Sequence, residues 1–398
     1  MTWEIGIIGV ATFVVSYALT YLLKGTAKHI GLIDVPNERS SHNVPTPRGG
    51  GLAIVVASIA AFLALAAMGV IPLHLCIALC GGGAMVATIG LIDDCRSLSA
   101  SIRLLIHFLA AAWAVAWLGP ITRIEIGGGS FSLSVFAYPL SILAIVWFLN
   151  MFNFMDGIDG LAASQSVFMC AALALLAWNW GERSSVLPSA IIIGTASAGF
   201  LLWNWTPAKI FLGDIGSGYL GFSLAVLGLG ASHHQPTAPF SWLIVAGVFA
   251  VDATYTVIRR FLRGERVTQA HRTHGFQLLA QRVGHRNTTL LLTSVNVFWL
   301  MPCALMGNFL PSYTWAITAL ALTPIIGYAL VIGAGRPDRT QPQIASTRTT
   351  TAKIVQFQLA ARHKAPVINT TPRHAITAHA YSDSTIREGR SADAECVN

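Results

Sequence analysis

The sequence predicts an all-α, polytopic membrane protein with about eleven transmembrane helices. Of the 398 residues, 54% are hydrophobic and only 11% are charged, whereas soluble domains carry about 25% charged residues. Apolar runs recur along the first 335 positions, and each is close to the roughly 20 residues that a helix needs to cross about 30 Å of hydrocarbon. A soluble globular protein is therefore excluded.

The predicted spans follow one another with short connections. The first apolar run has no basic segment before it and no small-residue cleavage site after it, so we interpret it as a retained span rather than a signal peptide. In chain order the spans are 4–23, 50–70, 73–92, 102–119, 135–153, 161–180, 186–204, 217–231, 240–260, 288–308 and 313–334.

This pattern divides the chain into two parts. Residues 1–335 form the transmembrane domain, whose loops carry the polar motifs described below. Residues 336–398 are polar, rich in Thr, Ala and Ser, and contain no long apolar run. They are expected to form a disordered cytoplasmic tail.

The distribution of Lys and Arg predicts the orientation. Fourteen of them lie in loops on one side of the predicted spans, and only Arg123 and Arg183 lie on the other. Because positive loops stay in the cytoplasm, the N-terminus is predicted outside and the C-terminus inside. In segment 122–134 polar and apolar residues alternate on both sides of a triple glycine, which predicts a small external hairpin.

Three acidic motifs are predicted to emerge on the cytoplasmic side. They are "LIDDCRSLS" at 91–99, "NFMDGIDG" at 153–160 and "KIFLGDIGSG" at 209–218. Carboxylates beside hydrocarbon cost several kcal/mol unless they are paired or bind metal. Helix capping would explain one or two such acids, but not all of them, so the set predicts bound cations. We call the set the acid layer: Asp93, Asp94, Asp156, Asp159 and Asp214.

Spacing predicts how these acids divide their tasks. Asp93 and Asp94 are adjacent, so on a helix their side chains point about 100° apart and serve different partners. Asn150, Asn153, Asp156 and Asp159 recur every third residue and would be neighbours on a helix surface. Glycines surround Asp214, as expected where backbone approaches a polar ligand closely. Hard oxygen ligands without a Cys/His cluster indicate Mg²⁺ or Mn²⁺ rather than zinc.

A basic counterpart lies in the loop at 259–286. It contains "HRTH", in which His271 and His274 flank Arg272, and only one acid, Glu265. The first loop adds further basic residues, Arg39, His42 and Arg48. Acids with Mg²⁺, together with arginines for phosphate, are typical of phosphoryl transfer. A site at the lipid boundary indicates that one substrate is a lipid, and no nucleic-acid partner is expected.

Four motifs in order resemble the signatures of the polyprenyl-phosphate N-acetylhexosamine-1-phosphate transferases. They are "LIDDCRSLSASIR", "NMFNFMDGIDGLA", "WNWTPAKIFLGDIGSG" and "AHRTHGFQ". This group, glycosyltransferase family 4, includes phospho-MurNAc-pentapeptide translocase and the enzymes that initiate O-antigen and other polysaccharides. The resemblance implies a bacterial inner-membrane enzyme that transfers HexNAc-1-phosphate from a UDP-sugar to undecaprenyl phosphate with Mg²⁺ and releases UMP.

The resemblance also implies roles for individual residues. The departure of "HRTH" from the consecutive histidines of the translocase, together with "PNERSSHNVPTPRGGG", points to the polysaccharide-initiating branch. The implied catalytic residues are Asp93 and Asp94, the implied metal ligands are Asp214 and Asp94, and the implied substrate-binding residues are Asn153, Asp156, Asp159, Phe211 (stacking on uracil), His271, Arg272 and His274.

Two other classes fit less well. A cation-coupled transporter would place ionisable groups at mid-span. Among the acids only Asp252 lies well inside a predicted span, and we expect it to pair with Arg259, two turns later. A CDP-alcohol phosphotransferase would need an Arg and a later Asp that "DGIDGLAAS" lacks. The choice of sugar, a direct or covalent route through Asp93, and a homodimer are left open.

Overall fold

The fold is a bundle of apolar helices. The computed structural model describes residues 2–27, 32–34, 44–177, 185–265 and 271–337. In these residues eight helices are long and apolar enough to cross a membrane, or nine if one bent pair counts as a single span. The predicted all-α polytopic membrane protein is confirmed. Arg39, His42 and the predicted tail beyond residue 337 lie outside the described residues.

The helices follow the predicted order. They are α1 Thr2–Thr26, α2 Gly51–Ala67, α3 Leu73–Cys95, α4 Ala100–Leu118, α5 Ala137–Met155, α6 Leu161–Ala177, α7 Val186–Asn204, α8 Gly213–His234, α9 Ala238–Val245, α10 Gly247–Leu262, α11 Gly275–Phe309 and α12 Thr314–Ile332. The predicted spans at 50–70 and 161–180 are the shorter apolar helices α2 and α6. The count of eleven therefore stays a prediction.

Two small antiparallel hairpins accompany the helices. Strands β3 (Arg123–Ile126) and β4 (Gly129–Ser132) form the hairpin predicted at 122–134. Strands β1 (Ile33–Asp34) and β2 (Thr46–Pro47) lie in the first loop. The end of β2 and the residues after it contact the segment before α8. Phe211 N–H donates to the Pro47 carbonyl over 2.8 Å, and Gly50 N–H donates to the Phe211 carbonyl over 2.9 Å. The first loop is thereby fixed beside the start of α8.

Helix α8 is the central helix, and nearly all of it is buried. It packs mainly against α3 and α5. Small residues allow this, because a Cβ on Gly221 would lie 2.8 Å from Leu149 Cα of α5. Transmembrane helices pack closely where such small residues let their backbones approach. As a result, the first turn of α8, which carries Asp214, lies among the ends of its neighbours.

The span predicted as continuous at 240–260 is broken, which corrects the prediction. Helices α9 and α10 meet at an angle of 81°. A break in hydrocarbon frees backbone groups that protein must satisfy. Here Gln165 Nε2 donates to the Val245 carbonyl over 3.1 Å, and Asn296 Nδ2 donates to Gln165 Oε1 over 2.6 Å. These two buried amides stabilise the bend from α6 and α11.

Gly90 on α3 provides a test of this packing. A Cβ at Gly90 would lie 2.6 Å from the Asp214 carbonyl carbon and oxygen. Gly90→Ala should therefore push α8 away from α3, at a cost of about 1–3 kcal/mol, and lower both thermal stability and catalytic rate. Gly327→Ala on α12 is the matched control, because a Cβ there meets nothing within 4 Å. Equal melting temperatures for the two variants would contradict this account of the helix contact.

Candidate active site

Asp94 fixes the start of α8. Its side chain is buried, with Oδ1 accepting the Asp214 N–H over 3.1 Å and Oδ2 accepting the Ile215 N–H over 3.2 Å. The first N–H groups of a helix lack partners within that helix and favour a negative charge. Gly213 has φ of +77°, and a Cβ there would lie 2.5 Å from Asp94 Oδ2. The glycine before Asp214 therefore has a definite role, which is to admit the Asp94 carboxylate.

Arg48 joins the first loop to this carboxylate. Its Nη2 donates to the Asp94 backbone carbonyl, and its Nε lies 3.9 Å from Asp94 Oδ1. The predicted basic contribution of the first loop thus reaches the acid layer at Asp94.

Arg103 bridges two acids from different helices. Its Nη1 lies 2.7 Å from Asp93 Oδ2 and 3.3 Å from Asp214 Oδ2. Asp93 Oδ1 also accepts the Leu98 N–H over 2.6 Å. The adjacent carboxylates of Asp93 and Asp94 thus have different partners, as their divergent directions predict. Sequence reasoning counted Arg103 only toward topology. The signal it missed was an arginine in the first turn of a span, ten residues after Asp93.

Asn153 completes the surroundings of Asp214. Its Nδ2 donates to Asp214 Oδ1 over 2.9 Å and to Ser217 Oγ over 3.1 Å. Helix α5 ends at Met155, so Asn150 and Asn153 share the helix but Asp156 and Asp159 lie beyond it. Burial, followed by the carboxylates of Asp214 and Asp94, raises the pKa of Asp156 to about 8. The acids around Asp214 therefore repel one another, and a bound cation would relieve that repulsion.

The donor set is consistent with Mg²⁺ bound partly by substrate. Among the described residues no group of three or more His, Cys, Asp or Glu could hold a metal ion by itself. Mg²⁺ is usually held by one or two carboxylates together with water and substrate phosphates. Asp214 and Asp94 meet that smaller requirement, since each carboxylate oxygen of Asp94 keeps a lone pair beyond its backbone bond. Their assignment as metal ligands stays a prediction.

Asp159 contacts protein groups. Its Oδ2 accepts the Ala208 N–H over 3.1 Å, its Oδ1 lies 3.3 Å from His285 Nδ1, and its backbone carbonyl accepts a hydrogen bond from Thr289 Oγ1 over 3.0 Å. Asp159 therefore ties the loop after α5 to α11 and to the segment before α8. The predicted contact of Asp159 with a nucleotide is a separate expectation.

Asp252 contacts the loop that carries His271 and His274, here called the histidine loop. The expected pair of Asp252 with Arg259 was therefore wrong. Its Oδ1 accepts the Gly275 N–H over 2.8 Å and lies 3.3 Å from His274 Nδ1, and its Oδ2 accepts the Phe276 N–H over 2.7 Å. Arg259 instead donates to Tyr255 Oη and to the Ala334 carbonyl. The spacing of Asp252 and Arg259 on one helix did not predict the partner of Asp252, because the N-terminus of α11 competes with Arg259 for the Asp252 carboxylate.

The two predicted histidines stack on each other. The ring centroids of His271 and His274 lie 4.8 Å apart, and Phe154 lies 6.2 Å from His274 on the α5 side. Both histidines line a cavity of about 590 Å³ together with Asn153 and Asp214. Arg272, Phe211, Asp156 and Asp159 do not line it.

This cavity, here called the acid cavity, runs from polar to apolar surroundings. Its polar lining includes Arg103, Asn150 and Asp214, whereas Leu104 and Trp147 are among its apolar walls. A second cavity of about 530 Å³, here called the apolar groove, shares Trp147 and lies along α5, α8, α9, α10 and α12. Helix α10 borders both spaces, since Val257 lines the acid cavity and Thr254 lines the apolar groove. The site can therefore bind an anionic group at one end and an elongated apolar group at the other.

Comparison with known proteins identifies a matching family and several relatives. The model of glycosyl transferase family 4 matches residues 74–232, which include all three acidic motifs. The chain is 33% identical over 298 residues to the "Probable undecaprenyl-phosphate N-acetylglucosaminyl 1-phosphate transferase" of Bacillus subtilis, covering 71% of this chain and 80% of that protein.

Two further relatives carry related names. The chain is 31% identical over 321 residues to the decaprenyl-phosphate N-acetylglucosaminephosphotransferase of Mycobacterium tuberculosis, covering 73% of this chain and 78% of that protein. It is 25% identical over 345 residues to the undecaprenyl-phosphate alpha-N-acetylglucosaminyl 1-phosphate transferase of Escherichia coli, covering 81% and 89%.

Removing the charge of Asp252 should disturb the histidine loop. Asp252→Asn keeps one acceptor oxygen but loses the ionic hydrogen bonds to the start of α11, so we expect the free energy of unfolding to fall by about 1–2 kcal/mol. Because His274 loses its carboxylate partner, catalytic efficiency should fall as well. Ser294→Ala is the control on α11, since among the described residues the Ser294 side chain bonds only within its own turn. Thermal unfolding and steady-state kinetics are the measurements, and a variant that matches the control in both would refute this role.

The segment after α12 should be needed only as far as its contacts extend. Gly335 N–H donates to the Thr273 carbonyl over 2.6 Å, and Arg259 Nη1 donates to the Ala334 carbonyl over 3.0 Å. A chain ended after Pro337 keeps both bonds and should retain activity. A chain ended after Ile332 loses both and should lose most of it. Activity assays on the two membrane-inserted proteins would check this, and the reverse order of activities would count against it.

Proposed function

Because the chain belongs to glycosyl transferase family 4, we propose that it transfers a HexNAc-1-phosphate from a UDP-sugar to undecaprenyl phosphate and releases UMP. The family predicted from the sequence is thereby confirmed. The observation that carries the proposed reaction is the position of Asp214, which lines a cavity that has polar groups such as Arg103 at one end and apolar walls such as Trp147 at the other. An acid cluster that opens into apolar space suits a reaction between a polar nucleotide and a lipid phosphate.

The donor is proposed to bind at the start of α8. Asp214 and Asp94 would hold Mg²⁺, with Mn²⁺ as a substitute, against the diphosphate of the UDP-sugar. When bound, the cation neutralises phosphate charge and draws electrons from the phosphorus. Asn153 keeps Asp214 in place through its 2.9 Å hydrogen bond. Phe211 is proposed to stack on uracil, and Asp156 and Asp159 to shape the nucleotide pocket.

The acceptor is proposed to enter from the membrane. Its phosphate would lie in the acid cavity, and its isoprenoid chain would continue past Trp147 into the apolar groove. An oxygen of that phosphate attacks the β-phosphorus of the donor. The bond from the β-phosphorus to the bridging oxygen breaks, and that oxygen leaves with UMP. A phosphate monoester has its second pKa near 6, so near neutral pH the attacking group is already mostly ionised.

His274, oriented by Asp252, is proposed to stabilise the charge that develops on the departing phosphate. Arg272 and His271 belong to the same loop and would contact the donor. The active site is proposed to face the cytoplasm in the inner membrane, because the excess of Lys and Arg lies on the side of the acid layer. N-acetylglucosamine is the sugar that the names of the relatives suggest. The product would initiate O-antigen or another cell-surface polysaccharide.

Asp214→Asn tests the proposed reaction. Purified protein supplied with UDP-N-acetylglucosamine, undecaprenyl phosphate and Mg²⁺ should release UMP, and chelation of the metal should stop it. Loss of the Asp214 charge should lower the rate by about a hundredfold or more. Glu125→Gln in the β3–β4 hairpin is the control for removing one acid elsewhere. Full activity of Asp214→Asn at saturating Mg²⁺ would exclude its role, and lipid-independent UMP release would exclude the reaction.

A further inference from the structure

His107 is a buried polar residue that the reaction described above does not use. It lies in the apolar helix α4, its side chain is 8% exposed, and it lines the acid cavity. Its Nδ1 has no hydrogen-bond partner among the described residues. Buried polar atoms in folded proteins nearly always have a partner, so an unpaired imidazole nitrogen beside a cavity suggests a ligand.

Two polar side chains border the same space. Arg103 precedes His107 by four residues on α4, so their side chains are neighbours on one helix face, with Cβ atoms roughly 5–6 Å apart. Asn150 reaches the cavity from α5, and its side chain lies within hydrogen-bonding reach of the imidazole. Asn150 Nδ2 also donates to the Val146 carbonyl over 2.7 Å, which fixes the direction of the amide. The three groups thus come from two facing helices.

The imidazole can present a nitrogen to the cavity without repacking the core. A half-turn of the ring about its Cβ–Cγ bond exchanges Nδ1 with Cδ2 and leaves the ring outline nearly unchanged. In its neutral form the ring donates one hydrogen bond and accepts another. A cationic histidine is therefore not required.

We propose that Arg103, His107 and Asn150 bind the phosphate group of the lipid acceptor, and that His107 recognises the phosphate rather than the lipid chain. This inference rests on the proposed function. Arg103 supplies the positive charge and already lies between Asp93 and Asp214. His107 and Asn150 supply neutral donors on the membrane side, as a phosphate with three acceptor oxygens requires. The phosphate would thereby be held between Arg103 and His107, which lie one helical turn apart on α4.

Leu104 and Trp147 support this direction for the ligand. Both line the acid cavity, and Trp147 also lines the apolar groove. A lipid phosphate held by Arg103 and His107 would therefore have its first isoprene units in apolar surroundings. A free nucleotide phosphate would gain nothing from these walls.

The experiment compares two ligands that differ only in the phosphate. Farnesyl phosphate and farnesol are titrated against purified full-length protein in lipid nanodiscs, for the natural chain, His107→Leu and His107→Gln. His107→Leu should weaken binding of farnesyl phosphate about tenfold or more and leave farnesol binding unchanged. His107→Gln, which restores a donor, should recover most of the loss. His233→Gln is the matched control, because this histidine lies at the far end of α8 near the Pro120 carbonyl.

Kinetics separate this role from a structural one. In His107→Leu the KM for the lipid acceptor should rise while the KM for the UDP-sugar and the melting temperature stay unchanged. Equal preference of the natural chain and His107→Leu for farnesyl phosphate over farnesol would overturn the inference and leave the proposed function intact. Equal loss of both ligands, or no rescue by Gln, would assign His107 to packing. A natural chain that binds neither ligand and transfers no sugar phosphate would remove the proposed function and this inference together.

Discussion

Charge compensation beside hydrocarbon is the constraint on which the site depends. Asp93, Asp94 and Asp214 belong to or adjoin apolar helices, where an uncompensated carboxylate is costly. The protein compensates them unequally. Asp94 receives two backbone N–H groups and Arg48, whereas Asp93 and Asp214 share the single guanidinium of Arg103. The carboxylates near Asp214 are the least compensated, so this is where a divalent cation and a phosphorylated substrate would gain most.

Packing serves the same purpose. Glycines on α3 and α8 let the central helix begin beside Asp94, and the backbone of Asp214 sits against Gly90 without room for a methyl group. The apolar groove lies along the bent pair of α9 and α10, next to this packed core. Because Gln165 and Asn296 satisfy the backbone at the break, the bend is a defined feature of the fold. A fixed acid cluster and an open apolar groove can therefore occupy adjacent parts of one bundle.

The sequence predicted what local pattern determines. Apolar runs predicted the helical membrane fold, and the common side of three motifs predicted that the five residues of the acid layer, Asp159 included, would lie at one surface. The sequence did not predict contacts that depend on which helices lie against each other. Arg103 was counted only as a topology signal, although it bridges Asp93 and Asp214, and Asp252 was paired with Arg259 because both lie on one helix. The hydrogen-bond donors to the Asp252 carboxylate lie more than twenty residues later, at the start of α11. The break at Val245 was missed because no proline marks it; the stabilising amides come from distant helices.

The different partners of Asp93 and Asp94 bear on the choice between a direct and a covalent route. Both oxygens of the Asp94 carboxylate accept backbone N–H groups at the start of α8. Moving this carboxylate toward a phosphorus atom would therefore break its hydrogen bond to the Asp214 N–H as well. Asp93 is held by the Leu98 N–H and by Arg103, and a covalent phosphoryl link would require it to give up a charged hydrogen bond first. Direct attack by the acceptor phosphate would break no hydrogen bond of Asp93, since the phosphate carries its own nucleophilic oxygen and is ionised near neutral pH. In the proposed reaction these contacts favour direct attack, in which Asp93 would position Arg103 toward the two phosphates that approach each other.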